Sequence, residues 1–128
     1  MGEHAEHWMT EPEDHDFPAA HDYLSLVLSE EDAVAAVAEL KSAQLVHRKA
    51  KDLLRASGLT LLTDENAHVA ADLAKVHKGK ALSPVLLVRG DVGQGIPLLV
   101  ADGYHRICAS YHLDENADIP CRLVEMPR

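Results

Sequence analysis

Two apolar runs, Pro84-Val85-Leu86-Leu87-Val88 and Pro97-Leu98-Leu99-Val100-Ala101, bracket the stretch Gly90-Asp91-Val92-Gly93-Gln94-Gly95, and the second run ends at once in Asp102-Gly103. Short branched-aliphatic runs bounded by glycine and proline are strands, and the flexible stretch between them makes a hairpin. After Gly103 the pattern changes: residues 105–112 have the spacing of a short helix, and Ile119 to Val124 that of a last strand. A strand that turns into a helix over Asp-Gly must bend sharply, and glycine bends without a Cβ penalty. The chain is therefore expected to be α+β, a small mixed sheet with N-terminal helices packed on it.

The helices come from the first half. Ser29 is a good N-cap, with Asp32 three residues on, and Val34, Val37, Ala38 and Leu40 recur at helical spacing, which predicts a helix over about 30–42. Val46, Ala50, Leu53 and Leu54 predict a second helix over about 46–57, closed by Gly58. Thr63 or Asp64 opens a third, with Val69, Ala70, Leu73 and Val76 inward and Gly79 at its end. Ahead of these, residues 1–21 are acidic, broken by Pro12 and Pro18 and without apolar period, so a disordered tail is expected, followed by one domain over 22–128. His4 and His7 are spaced like helical metal ligands, but nothing completes a metal site around them.

Charge narrows the function classes. Residues 1–22 hold seven of the 21 acids and no Lys or Arg, which leaves 14 acids against 12 bases in the remainder. No broad basic surface of the kind duplex DNA needs is visible, which counts against DNA binding. The acidic tail is instead a candidate contact for a protein partner. No apolar run approaches a membrane span, and the start lacks a signal-peptide pattern, so a cytoplasmic location with no membrane contact is expected. Cys108 and Cys121 lack any CxxC or zinc spacing and are expected to be reduced and buried.

The chemistry concentrates at Asp102-Gly103-Tyr104-His105-Arg106. The first N–H groups of a helix have no intrahelical partner and carry partial positive charge, so an anion placed there satisfies them. Arg106 adds a planar fork suited to phosphate, and His105 a further donor. On these residues alone an equal reading stands beside that one: Asp102 caps the helix and pairs with Arg106 one turn on.

The wider order, from Val69 to Val124, is helix, glycine, Ser83-Pro84 strand, glycine-rich turn, strand, Gly103-Tyr104-His105-Arg106 helix with Ala109, then Ile119-Pro120-Cys121-Arg122 strand. Over these roughly 55 residues the chain resembles the ParB/sulfiredoxin superfamily. The resemblance implies a ParB/sulfiredoxin-like fold. It also implies a nucleotide or phosphorylated small molecule as ligand, with ATP or another nucleotide and Mg as cofactor. Gly103, Tyr104, His105 and Arg106 would then contact phosphate, with Asp102 and His105 as catalytic candidates. The activity implied is that of an ATP-dependent phosphotransferase or phosphohydrolase, the alternative being a nucleotide-sensing or protein-interaction module without catalysis. Tyr104 stands where a sulfiredoxin carries its cysteine, so sulfinate reduction is not expected.

Other residues have two readings each. His47, Lys51 and Arg55 are spaced by four, so on one helix they would form a basic stripe, and Lys51 and Arg55 are candidates to close over a bound phosphate. Such a stripe is more often a solvated face. Lys75, Lys78 and Lys80 suit a helix end, from which one could reach phosphate. Asp64 and Glu65 are further carboxylates for magnesium, with helix capping the simpler role for Asp64. Tyr111 and His112 are expected to pack or face solvent.

Overall fold

The computed structural model describes residues 6–127. In chain order the elements are β1 (His7–Trp8), α1 (Asp16–Val27), α2 (Glu30–Ser42), β2 (Leu45–Lys49), α3 (Ala50–Ser57), α4 (Ala67–His77), β3 (Ala81–Leu82), β4 (Val85–Val88), β5 (Leu99–Asp102), α5 (Tyr104–Leu113) and β6 (Asp118–Val124). The protein is mixed α+β. Its main sheet runs β2-β6-β4-β5, and β1 and β3 form a separate parallel pair. Within the main sheet, β4 pairs antiparallel with β5 and parallel with β6, while β2 pairs antiparallel with β6.

Every residue of β4 is buried because the sheet is covered on both faces. Side chains alternate along a strand, so Leu86 and Val88 pack with Leu24, Ala33, Ala36 and Leu40 of α1 and α2. Val85 and Leu87 pack on the other side with Leu53 and Leu54 of α3, Val69 of α4 and Ile107 and Cys108 of α5. The result is three layers with a core on each side of the sheet. Cys108 and Cys121 are free thiols and fully buried, and burial pushes the Cys121 thiol up to about 12.

Three local expectations change. Residues 6–21 are not a loose tail, and residues 1–5, His4 among them, lie outside the described part. Trp8 is half-buried against the α3/α4/α5 core, Met9 N–H donates to the Leu82 carbonyl at 2.8 Å, and Ala20 is fully buried in α1. Pro18 does not break α1 because it falls in the first turn, where a missing N–H removes no intrahelical bond. The predicted helix over 46–57 splits at Lys49. Leu45–Lys49 is a strand because β6 offers a ladder to it, and α3 begins at Ala50. His47 therefore stands on a strand, and no helical stripe links it to Lys51 and Arg55. The third helix opens at Asn66, whose side chain accepts from the His68 and Val69 N–H groups, rather than at Thr63 or Asp64.

Elsewhere the local signals match the structure. Ser29 accepts from Asp32 N–H at 3.1 Å, and Gly58 ends α3 at a φ of 69°. Among the described residues, no helix is long and apolar enough to cross a membrane.

Trp8, the chain's only tryptophan, reports on the N-terminal segment. Its emission is expected to be blue-shifted in the native protein and to move red with the far-UV circular dichroism in a single urea transition. A red native emission, or an earlier fluorescence transition, would show the segment undocked.

Candidate functional site

The turn between β5 and α5 is held by close packing. Gly103 caps α5 at a φ of 112°, a conformation that L side chains rarely adopt. A Cβ there would lie 2.4 Å from Val85 Cγ1 and 3.0 Å from Arg106 Nη2, so the bare α-carbon is what lets the turn sit on β4. The ladder between β4 and β5 slips by one residue just before it, so that Leu86 faces Asp102 and Leu87 faces Val100, a bulge of the kind that re-aims side chains near sites. No side chain caps α5, and its first intrahelical bond runs from Ile107 N–H to the Gly103 carbonyl. The preceding amides have no intrahelical partner.

Arg106 folds back over that end. Its Nη2 donates to Asp102 Oδ2 at 2.9 Å and more weakly to the Pro84 carbonyl at 3.5 Å. The two side chains are 16% and 19% exposed, and the buried Arg106 Nε has no hydrogen-bond partner. The Asp102–Arg106 pair of the simpler sequence reading thus exists, and it sits at the start of the helix with donor capacity left over.

Around it opens a polar cleft of about 250 Å³, lined by His68, Ala71, Asp72 and Lys75 of α4 and by Asp102, Gly103, His105 and Arg106. The rings of His68 and His105 meet at 4.7 Å between centroids. Burial pushes the Asp72 carboxyl up, against the pull of Arg106, Lys75 and the two histidines. Asp102 is likewise raised, mainly by burial; Arg106 opposes the rise, and the neighbouring carboxylate Asp16 on α1 adds to it. His105 is pushed down by burial first and by His68 next, partly offset by Asp72. Lys75 and Arg106 balance Asp72 and Asp102 in formal charge, so the positive end of the α5 dipole is the remaining uncompensated charge at the cleft.

The structure thus gathers Asp102, Gly103, His105 and Arg106 and adds Lys75, the one lysine of the three candidates that lines the cleft. Tyr104 is not in the lining: its hydroxyl donates to the Thr60 carbonyl and its ring stacks beside His105 at 5.6 Å. Lys51 and Arg55 line a different hollow, of about 420 Å³, with Tyr111 and Glu115 at the far end of α5. They do not converge on Arg106. Asp64 and Glu65 lie in the turn before α4, outside the cleft lining, and His112 Nε2 is 2.7 Å from the Leu62 carbonyl. His68, Asp72 and Lys75 were missed as a set. Their i, i+4, i+7 spacing was visible, but only the docking of α4 on α5 shows what that face meets.

Among the described residues, no group of three or more His, Cys, Asp or Glu side chains could hold a metal ion. Comparisons with protein-family models, curated proteins and solved structures find no match to this chain.

The raised Asp72 fixes a sign. A carboxyl with a folded pKa above its unfolded value contributes stability below the unfolded value, about 3.8, and loses it as pH rises through the folded value. Asp72→Asn is therefore expected to raise the urea midpoint at pH 7 and to leave it unchanged near pH 3. A lower midpoint at pH 7 would mean that the attraction of the nearby Arg106 and Lys75 outweighs the burial of Asp72.

Proposed function

We propose that this chain is a ParB/sulfiredoxin-like protein that binds a phosphate group, free or on a nucleotide, at the amino end of α5. One observation carries the reading: an uncapped helix start, a guanidinium with an unused buried donor, a lysine and two facing histidines border one small polar cleft. Charge-assisted hydrogen bonds contribute about 1.5–3 kcal/mol each, so a few of them reach micromolar affinity. The cleft has room for a phosphate, and Tyr104, stacked on His105 at its border, offers an aromatic face for a base.

Catalysis is the narrower form of the proposal. Phosphoryl transfer asks mainly for positioning and charge stabilisation, which Arg106, Lys75 and the helix amides would supply. His105, whose protonation burial and His68 disfavour, suits proton transfer better than Asp102, whose carboxylate is engaged by Arg106. Asp102 and Asp72 are the carboxylates that a nucleotide-borne magnesium would meet here. A purely structural role also has a specific observation behind it, since the Asp102–Arg106 pair and the Pro84 contact tie α5 to the sheet without any ligand.

Calorimetric titration separates these readings. Inorganic phosphate, and ATP, CTP and GTP with magnesium, are added to the wild-type chain and to Lys75→Ala, which leaves the Asp102–Arg106 pair in place. At least one ligand is expected to bind at micromolar Kd, about tenfold weaker in Lys75→Ala and unchanged in Lys51→Ala. Binding should tighten as pH falls from 8 to 6, because the bound anion favours protonated His105. No heat with any of these ligands would leave the structural role, and phosphate release from a bound nucleotide would establish the catalytic form.

A further inference from the structure

The negative charge of this protein is concentrated in its first third. Residues 6–42 hold ten acids against the single base Lys41, whereas residues 43–128 hold ten acids against eleven Lys and Arg. The first group makes up β1, α1, α2 and their connections, and α1 and α2 form the outer cover of one sheet face. The same two helices carry most of the exposed large apolar side chains among the described residues. Tyr23, Leu26, Val27 and Val34 belong to them, against Leu59 and Val92 elsewhere. Acidity and exposed apolar surface are independent features, and here they coincide.

Between α1 and α2 runs an apolar groove of about 330 Å³, lined by Phe17, Pro18, His21, Val34, Val37 and Lys41. On α2, positions 34, 37 and 41 form one helical stripe, and on α1 positions 17, 18 and 21 face it. Helical spacing puts Glu31 beside that stripe and Asp22 beside Pro18, and both acids are exposed. At the rim His21 Nε2 meets Glu30 Oε2 at 2.9 Å, and Lys41 lies over the Phe17 ring at 5.8 Å. Two adjacent helices leave a groove of the width that receives the ridge of a third.

The geometry points to this groove as the docking site for an amphipathic, Lys/Arg-bordered helical segment of a partner protein. Its apolar stripe would sit on Phe17, Val34 and Val37, and its cations would face Asp22 and Glu31. Charge complementarity selects that occupant. Nucleic acid and anionic lipid surfaces would meet like charge across the whole layer. A second copy of this chain has no strongly basic helix to offer, since residues 43–128 carry a net charge of only +1 by the count above. Interfaces of this kind take affinity from the apolar stripe and orientation from the charged border.

The probe is a fluorescein-labelled amphipathic peptide of alternating Leu and Lys heptads, with a Leu/Glu peptide of the same length as control. Anisotropy is read against the full chain, and ¹⁵N-labelled protein maps the contact. The Leu/Lys peptide is expected to bind at micromolar Kd, weaken with salt and shift resonances of residues 17–21 and 34–41. Val34→Glu and Glu31→Lys, both at exposed positions and checked for an unchanged urea midpoint, should each weaken it at least tenfold. The assignment is overturned if the shifts lie elsewhere, if either variant binds like the wild type, or if the Leu/Glu peptide binds equally. It is also overturned if the same resonances shift with protein concentration alone, which would give the groove to a second copy.

Discussion

Val85 fills the space that any side chain at position 103 would need, and the rest of the site follows from that contact. The bare α-carbon lets β5 run into α5 directly above β4. This places Arg106 within reach of both Asp102 and the Pro84 carbonyl. The same approach brings α5 against α4, so that His105 meets His68 and the cleft acquires a second wall. Interiors are packed too tightly for such an approach to be adjusted by small shifts. A helix pushed outward here would lose the ion pair, the histidine contact and the cleft together.

Burial acts on the cleft in two opposing ways. It strengthens every favourable electrostatic contact, and it penalises each charge that lacks full compensation. Asp102 shows both: it is paired with Arg106 at 2.9 Å, yet burial and the adjacent Asp16 leave its carboxyl raised. A buried pair of this kind is weak evidence for stability in itself. What distinguishes it here is the unused Arg106 Nε and the uncapped helix end beside it. Structural and ligand-binding roles for the pair are compatible, because the guanidinium has five donors and Nη2 engages only two acceptors.

The features legible in the sequence were those set by neighbours along the chain. The β4–turn–β5–Gly103–α5–β6 order, the Ser29 cap and the Gly58 stop all depend on residues within a turn or two. The misreadings share the opposite cause. Leu45–Lys49 has a plausible helical period, and only the ladder to Asp118–Arg122, far along the chain, makes it a strand. Residues 6–21, like the five before them, look polar and proline-broken in sequence. The order of residues 6–21 comes from single anchors that no period reveals: Trp8 against the core, Ala20 on the buried face of α1, and Glu6 accepting from the buried Ser110 hydroxyl. At the site, Asp102, Gly103, His105 and Arg106 were found because they are contiguous. His68, Asp72 and Lys75 were not, because a helix face acquires meaning only from what packs against it.

The division of charge makes the proposed anion site compatible with an acidic protein. The acids of α1 and α2 lie on one side of the sheet, and the α4/α5 cleft lies on the other. Exposed charges separated by more than about 10 Å are largely screened at physiological salt. Asp16 is the exception. It is the one fully buried acid among the described residues, and it is the one that abuts Asp102. Its carboxylate accepts from Glu13 N–H at 3.0 Å and fixes the start of α1 behind the β5 end. The outer acids leave the cleft's potential to its own residues, whereas Asp16 adds directly to the cost of ionising Asp102. An anion bound as proposed would add to that cost, because each new negative charge there makes it harder to keep Asp102 charged.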